Sequence, residues 1–178
     1  AYRSNFSDTT AWRLLDPETA LLSIPTFVNY RKPVDPIAFY GALFSAINAS
    51  GARRLIIDLR ENGGGSSDAT YALADFLLER PYVWNRAIRL KATRYGDLPR
   101  HISSWGDTEA LFNPPLDRFT PRPDGSSDIQ PPEEPEELLA RRPSKDRFAG
   151  PVTILTSPFN GSGSTMLIAK LRDEGRVR

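Results

Sequence analysis

The sequence predicts an α/β fold with parallel strands joined by helices. Two observations carry this. An apolar strand, a glycine- and serine-rich turn and a helix follow one another twice, at 54–80 and again at 151–175. Parallel strands need crossover helices, and repeated strand–turn–helix units supply them. Composition agrees: 39% of the 178 residues are hydrophobic and 25% are charged, the balance of a globular chain.

Taken in order, ALLSIPTFV (20–28) reads as a strand, with Pro25 marking an edge or a bulge. Pro36 opens a helix whose Ile37, Tyr40, Leu43, Phe44 and Ile47 share one face, and Gly51 ends it. RLIIDL (54–59) is a continuous apolar run, as a buried parallel strand requires. The turn RENGGGSSD (60–68) leads into a helix carrying Tyr71, Leu73, Ala74, Leu77 and Leu78. Residues 81–151 hold 11 of the 16 prolines. WNRAIRLKA (84–92) reads as a strand with Trp84, Ala87 or Ile88, and Leu90 inward. The rest of 93–149 reads as an irregular proline-rich insertion, a solvated surface loop or a lid. Order returns with the strand PVTILTS (151–157), the turn PFNGSGS (158–164) and the helix TMLIAKLRDEG (165–175). The whole of 1–178 reads as one core domain of a longer product: no methionine precedes Ala1, AYRSNF is not a signal peptide, and DEGRVR breaks off just after a helix.

Composition also excludes functions. There is no cysteine, so no disulfide, thiolate metal site or cysteine nucleophile, and the single histidine, His101, cannot build a multi-histidine metal centre. A net charge of +1 disfavours a whole-chain grip on nucleic acid. No apolar run approaches the ~20 residues of a membrane helix. Neither metal nor organic cofactor is expected.

Chemistry concentrates in the two turns. Asn62-Gly63-Gly64-Gly65 can bring backbone N–H groups, at the mouth of a helix, against an anion or a developing oxyanion. The same glycines equally serve a plain flexible turn. In Asn160-Gly161-Ser162-Gly163-Ser164 a serine between glycines is exposed at a helix N-terminus, which suits a nucleophile. Ser162 or Ser164 also suits an ordinary N-cap. The run is not G-x-S-x-G, and no Lys-Ser/Thr pair closes the glycine turn, so neither an α/β-hydrolase elbow nor a phosphate-binding Walker loop is supported. Together the turns offer what acyl transfer needs, a hydroxyl beside backbone donors.

IIDLRENGGGSSDATYALADFLL and PVTILTSPFNGSGSTMLIAKLRDEGRVR resemble the signature segments of the tail-specific (C-terminal processing) serine proteases. SIPTFV and FYGALFSAI fit the strand and helix that precede the glycine turn in that family. The resemblance implies a ClpP/crotonase-like core of β-β-α units. It implies Ser162 as the nucleophile, and the N–H groups of Gly64 (or Gly65) and Gly163 as oxyanion donors. It implies a protein or peptide substrate, including unfolded C-terminal tails, and an extracytoplasmic, periplasmic place of action. The chain departs from the pattern in three ways. Thr165 stands where the family carries an acidic residue. The family's lysine base falls about two dozen residues after the serine, past Arg178, and Lys170, only eight residues on, reads as facing outward. The chain leaves no room for the PDZ domain that relatives carry ahead of the core. The tricorn core proteases use histidine and glutamate instead, but His101 lies in no motif position and reads as a loop residue. Arg60 reads either as a partner of Asp58 or Glu61 or as a receptor for a substrate carboxylate, and Asp58 as structural. Two other functions stay in view: a non-catalytic binding protein on the same fold, and crotonase-type acyl-CoA chemistry, which the serine between glycines disfavours.

Overall fold

A computed structural model describes residues 4–91, 96–103, 117, 119–129 and 138–177. The chain divides into two compact units, Ala1–Pro81 with Arg142–Arg178, and Tyr82–Arg141.

The first unit holds α1 (Phe6–Thr9), β1 (Ala11–Asp16), β2 (Thr19–Ser23), α2 (Pro36–Ala49), β3 (Arg54–Asp58) and α3 (Ser67–Asp75). The second holds β4 (Tyr82–Val83), β5 (Arg89–Leu90), β6 (Phe119–Pro121), β7 (Ser127–Ile129) and β8 (Ala140–Arg141). The chain then returns to the first unit with β9 (Val152–Leu155) and α4 (Gly163–Asp173).

The sheet of the first unit has the order β1-β2-β3-β9. β1 runs antiparallel to β2, and β2, β3 and β9 are parallel. This is the α/β class the sequence predicts. Register places Ala20, Leu55 and Val152 in one row and Leu22, Ile57 and Ile154 in the next. All but Ile154 are buried, so these rows form the core face. α2 packs on α3 and α3 on α4. Phe6, Tyr40, Phe44 and Phe76 are fully buried between them, Phe44 stacking on Phe76 with centroids 5.2 Å apart. Burying a side chain of this size contributes about 2 kcal/mol.

Helix α2 begins where Pro36 predicts, with Asp35 accepting from the N–H groups of Ile37 and Ala38. Ile37, expected on the buried face, is 47% exposed because it lies in the first turn, before the helix meets its neighbours. The strand read over 20–28 stops at Ser23, before Pro25, since proline cannot donate to a ladder. Of the strand read over 84–92, among the described residues Arg89–Leu90 forms the paired strand, with β7. Trp84 is buried as expected. The span 93–149, expected to be irregular, contributes β6, β7 and β8: β5, β7 and β6 form a small sheet in that order, and β8 pairs with β4.

Arg176 closes the first unit. Its guanidinium, 7% exposed, donates to the carbonyls of Leu77 (2.5 Å), Phe148 (2.8 Å) and Gly150 (2.7 Å), with Glu79 at 3.7 Å. Burial lowers its pKa, yet an arginine keeps its charge. Arg176→Ala strands three carbonyls and should cost about 3 kcal/mol, read as a lower urea midpoint. Arg176→Lys, a point donor without the fork, should recover less than half of it.

Candidate active site

Because β2, β3 and β9 are parallel, their carboxyl ends share one edge of the sheet, where ligands of such folds collect. Both turns lie there. β3 runs on past Asp58, the Leu59 N–H donating to the Leu155 carbonyl at 3.0 Å. The glycine turn then folds back along the segment after β2. The Phe27 N–H donates to Gly64 at 2.9 Å, the Ser66 N–H donates to Phe27 at 2.8 Å, and Phe27 and Gly65 form a parallel bridge.

Two glycines are required by contact. Gly65, at φ +148°, passes so near that a Cβ would lie 2.2 Å from the Phe27 carbonyl carbon. Gly64, at φ +101°, faces the second turn: its Cβ would lie 2.7 Å from Ser162 Cβ and 3.0 Å from the Gly163 nitrogen. The two turns, about a hundred residues apart in sequence, are therefore in van der Waals contact.

Ser162 is exposed and has φ 47° and ψ −128°, the one positive φ outside glycine among the described residues. Such a conformation costs a serine about 1–3 kcal/mol. It stands at the N-cap of α4, but its hydroxyl makes no capping bond. Its carbonyl accepts from Met166 at 3.0 Å, so the backbone starts the helix while the side chain points elsewhere. Ser164, by contrast, is fully buried and accepts from Asn160 at 3.1 Å. Gly163, first residue of α4, has an N–H without an intrahelical acceptor. A Cβ there would lie 2.6 Å from Thr70 Oγ1 of α3, so a side chain is excluded.

The oxyanion donors named from sequence divide. The Gly64 N–H donates to the buried Asn62 Oδ1 at 2.8 Å and is engaged in this conformation. For the N–H groups of Gly65 and Gly163 no hydrogen bond is found among the described residues.

Around the turns, Arg60 grips Asp58 with two bonds, Nε to Oδ1 at 2.9 Å and Nη2 to Oδ2 at 2.7 Å. The guanidinium lowers the Asp58 pKa, and Asp58 raises that of Arg60. A depressed carboxylate favours the folded state above its ordinary pKa and loses that contribution as pH falls through the lower folded value. With the guanidinium 59% exposed, the effect is weak. A cavity of about 430 Å³ opens here, lined by Ser23, Pro25, Asp58, Arg60, Glu61 and Phe159 among others, and the Phe159 ring is 80% exposed. Lys170 bonds Glu174 at 2.6 Å, one turn along α4. His101 ends a short 3-10 turn, Leu98–His101, in the second unit and is exposed. Thr165 is exposed in the first turn of α4. No metal-binding cluster occurs among the described residues, and no described helix is long and apolar enough to cross a membrane.

The sequence motifs do not single out the side chains of Asn62 and Asn160, which bond within and between the two turns. Each is a side chain able to donate and accept at once, placed at the opening of a glycine-containing turn, and that was the available signal.

The sequence model described as peptidase family S41 matches residues 18–178. This chain belongs to peptidase family S41. No curated protein matches it. Among solved structures it is similar to a protein of Parabacteroides merdae described as a peptidase, at 17% identity and a TM-score of 0.56, covering 94% of this chain and 41% of that one. It is similar to a photosystem II D1 C-terminal processing protease, at 16% identity and a TM-score of 0.53, covering 94% of this chain and 34% of that one. It is also similar to mature CPAF, at 17% identity and a TM-score of 0.56, covering 89% and 36%. At such identities the likeness is one of fold. The chain spans less than half the length of these structures.

Proposed function

We propose that this chain carries the nucleophile and the oxyanion pocket of a serine endopeptidase of the tail-specific type, acting on protein or peptide substrates outside the cytoplasm. The observation that carries the reading is Ser162: exposed, held at φ 47°, free of any capping bond, and in contact with the glycine turn. Ser162 Oγ attacks the scissile carbonyl and forms an acyl-enzyme, which water hydrolyses. The hydroxyl proton passes to a general base, and from there to the leaving amine. The Gly163 N–H and a donor of the glycine turn hold the oxyanion, each worth about 3 kcal/mol. Gly65 can serve as the second donor directly, and Gly64 once its bond to Asn62 opens. No cofactor takes part.

A second reading, a non-catalytic peptide-binding member of the family, has one observation behind it: the Gly64 N–H is already taken by Asn62 Oδ1. One experiment separates the two. The full-length gene product is incubated with casein beside its Ser162→Ala variant. Cleavage that disappears in the variant supports the peptidase. Equal cleavage by both removes Ser162 as nucleophile, and no cleavage by either favours the binding protein.

A further inference from the structure

Asn160, two residues before Ser162, makes more side-chain bonds than any other residue of the two turns. Its Nδ2 donates to the carbonyls of Leu59 (2.6 Å) and Asn62 (3.1 Å) and to Ser164 Oγ (3.1 Å), while its Oδ1 accepts from the Ser157 N–H at 2.7 Å. Leu59 and Asn62 bracket the stretch that leads into the glycine turn. Ser157 and Ser164 bracket the turn that bears Ser162. One amide thus ties both turns, across separations of 98 to 101 residues. Asn62 continues the tie: it is fully buried, and its Nδ2 donates to the Ile24 carbonyl at 2.9 Å while its Oδ1 takes the Gly64 N–H.

A strained residue persists only where its surroundings over-determine it. Ser162 is bounded on one side by Asn160 and on the other by Gly163, whose Cα is pressed against Thr70. We propose that Asn160 is a positioning residue, holding Ser162 in its positive-φ conformation against the glycine turn. The role rests on the reading of Ser162 as nucleophile. No other side chain reproduces it. Aspartate keeps the acceptor for Ser157 but points negative charge at two carbonyls. Alanine removes all four bonds, and of the partners the Leu59 carbonyl keeps the Asn62 N–H.

The test uses the full-length product and its Asn160→Ala, Asn160→Asp and Ser162→Ala variants. Casein turnover and the rate of labelling by a fluorophosphonate are measured at a temperature where circular dichroism shows each variant folded. A positioning role predicts that both Asn160 variants lose about 100-fold in kcat and in labelling rate, with KM within twofold of the parent, because a misplacement near 1 Å costs about that much. A merely structural role predicts losses that follow the unfolded fraction and vanish on cooling, and that result overturns the proposal. Wild-type kcat in both Asn160 variants, with Ser162→Ala inert, overturns the positioning role alone. Activity persisting in Ser162→Ala, or an inert parent, overturns the nucleophile reading and this role with it. Should Asn160→Ala fail to fold, Asn160→Asp still decides, since it keeps the Ser157 bond and loses only the donors. A crystal structure adds a readout free of activity: Ser162 leaving the positive-φ region in either variant supports the tie, and Ser162 unmoved overturns it.

Discussion

Gly65→Ala should leave no stably folded protein. The new methyl would lie 2.2 Å from the Phe27 carbonyl carbon, 2.3 Å from the Val28 nitrogen and 2.6 Å from the Phe27 oxygen. All three are backbone atoms of the strand extension that bridges to the glycine turn, so no side chain can swing away. The φ of +148° adds strain for any residue with a Cβ. Relief requires breaking the two bonds that Phe27 makes with Gly64 and Ser66. A loss above about 4 kcal/mol follows, comparable with the whole stability of many domains. Soluble yield and the urea midpoint read it, and a midpoint equal to the parent's would refute the close approach. Gly64→Ala should behave differently. Its methyl meets Ser162 Cβ at 2.7 Å and the Gly161 oxygen at 2.8 Å, so relief shifts the second turn and leaves the bridge to Phe27 in place. The protein should fold with a loss of about 1–3 kcal/mol while hydrolysis falls about 100-fold or more, because the atom displaced is the Cβ of Ser162, the proposed nucleophile. Adjacent glycines then fail by different routes, one in folding and one in chemistry.

The contrast bears on what the sequence could disclose. The units β3–turn–α3 and β9–turn–α4 were readable because their signals are local: a short apolar run, glycines, then helical spacing. β1 was not read. Its Ala11–Asp16 are exposed or half-exposed on both faces, so no alternation marks it. Its one signal was Asp16-Pro17, a turn opener, and Asp16 Oδ1 does accept the Glu18 N–H at 2.8 Å. In the second unit β4 pairs with β8 and β5 with β7 across tens of positions, β6 and β7 are near neighbours in sequence, and all are two or three residues long, too short for periodicity. At the site, residue types pointed to Ser162 and the glycines, but hydrogen bonding between the turns was invisible. Asn62 engages the Gly64 N–H two residues on, a local Asx turn, but nothing local says that Asn160 reaches Leu59, since that partner is set by the fold.

Ser162→Gly should make the protein more stable and inactive at once. The serine sits at φ 47° and ψ −128°, away from the small left-handed basin where ψ is positive. Glycine adopts that backbone freely, which returns about 1–3 kcal/mol. Against this stands up to about 1 kcal/mol for the greater freedom of glycine in the unfolded chain. No capping bond is lost, because the hydroxyl makes none. The net is a gain of about 1 kcal/mol, or about 2–4 °C in Tm for a chain of this size. Ser162→Ala removes the hydroxyl but keeps the Cβ and the strain, so its Tm should match the parent's. Both variants should lose hydrolysis by about 10⁴-fold or more, the usual consequence of deleting a nucleophile. Calorimetry of the three proteins side by side decides. A glycine variant melting no higher than the alanine variant would mean that no strain is held at Ser162. A higher one would mean that stability is given up at one exposed residue whose side chain makes no capping bond in return, and presentation of the hydroxyl for attack is the reason the geometry supplies.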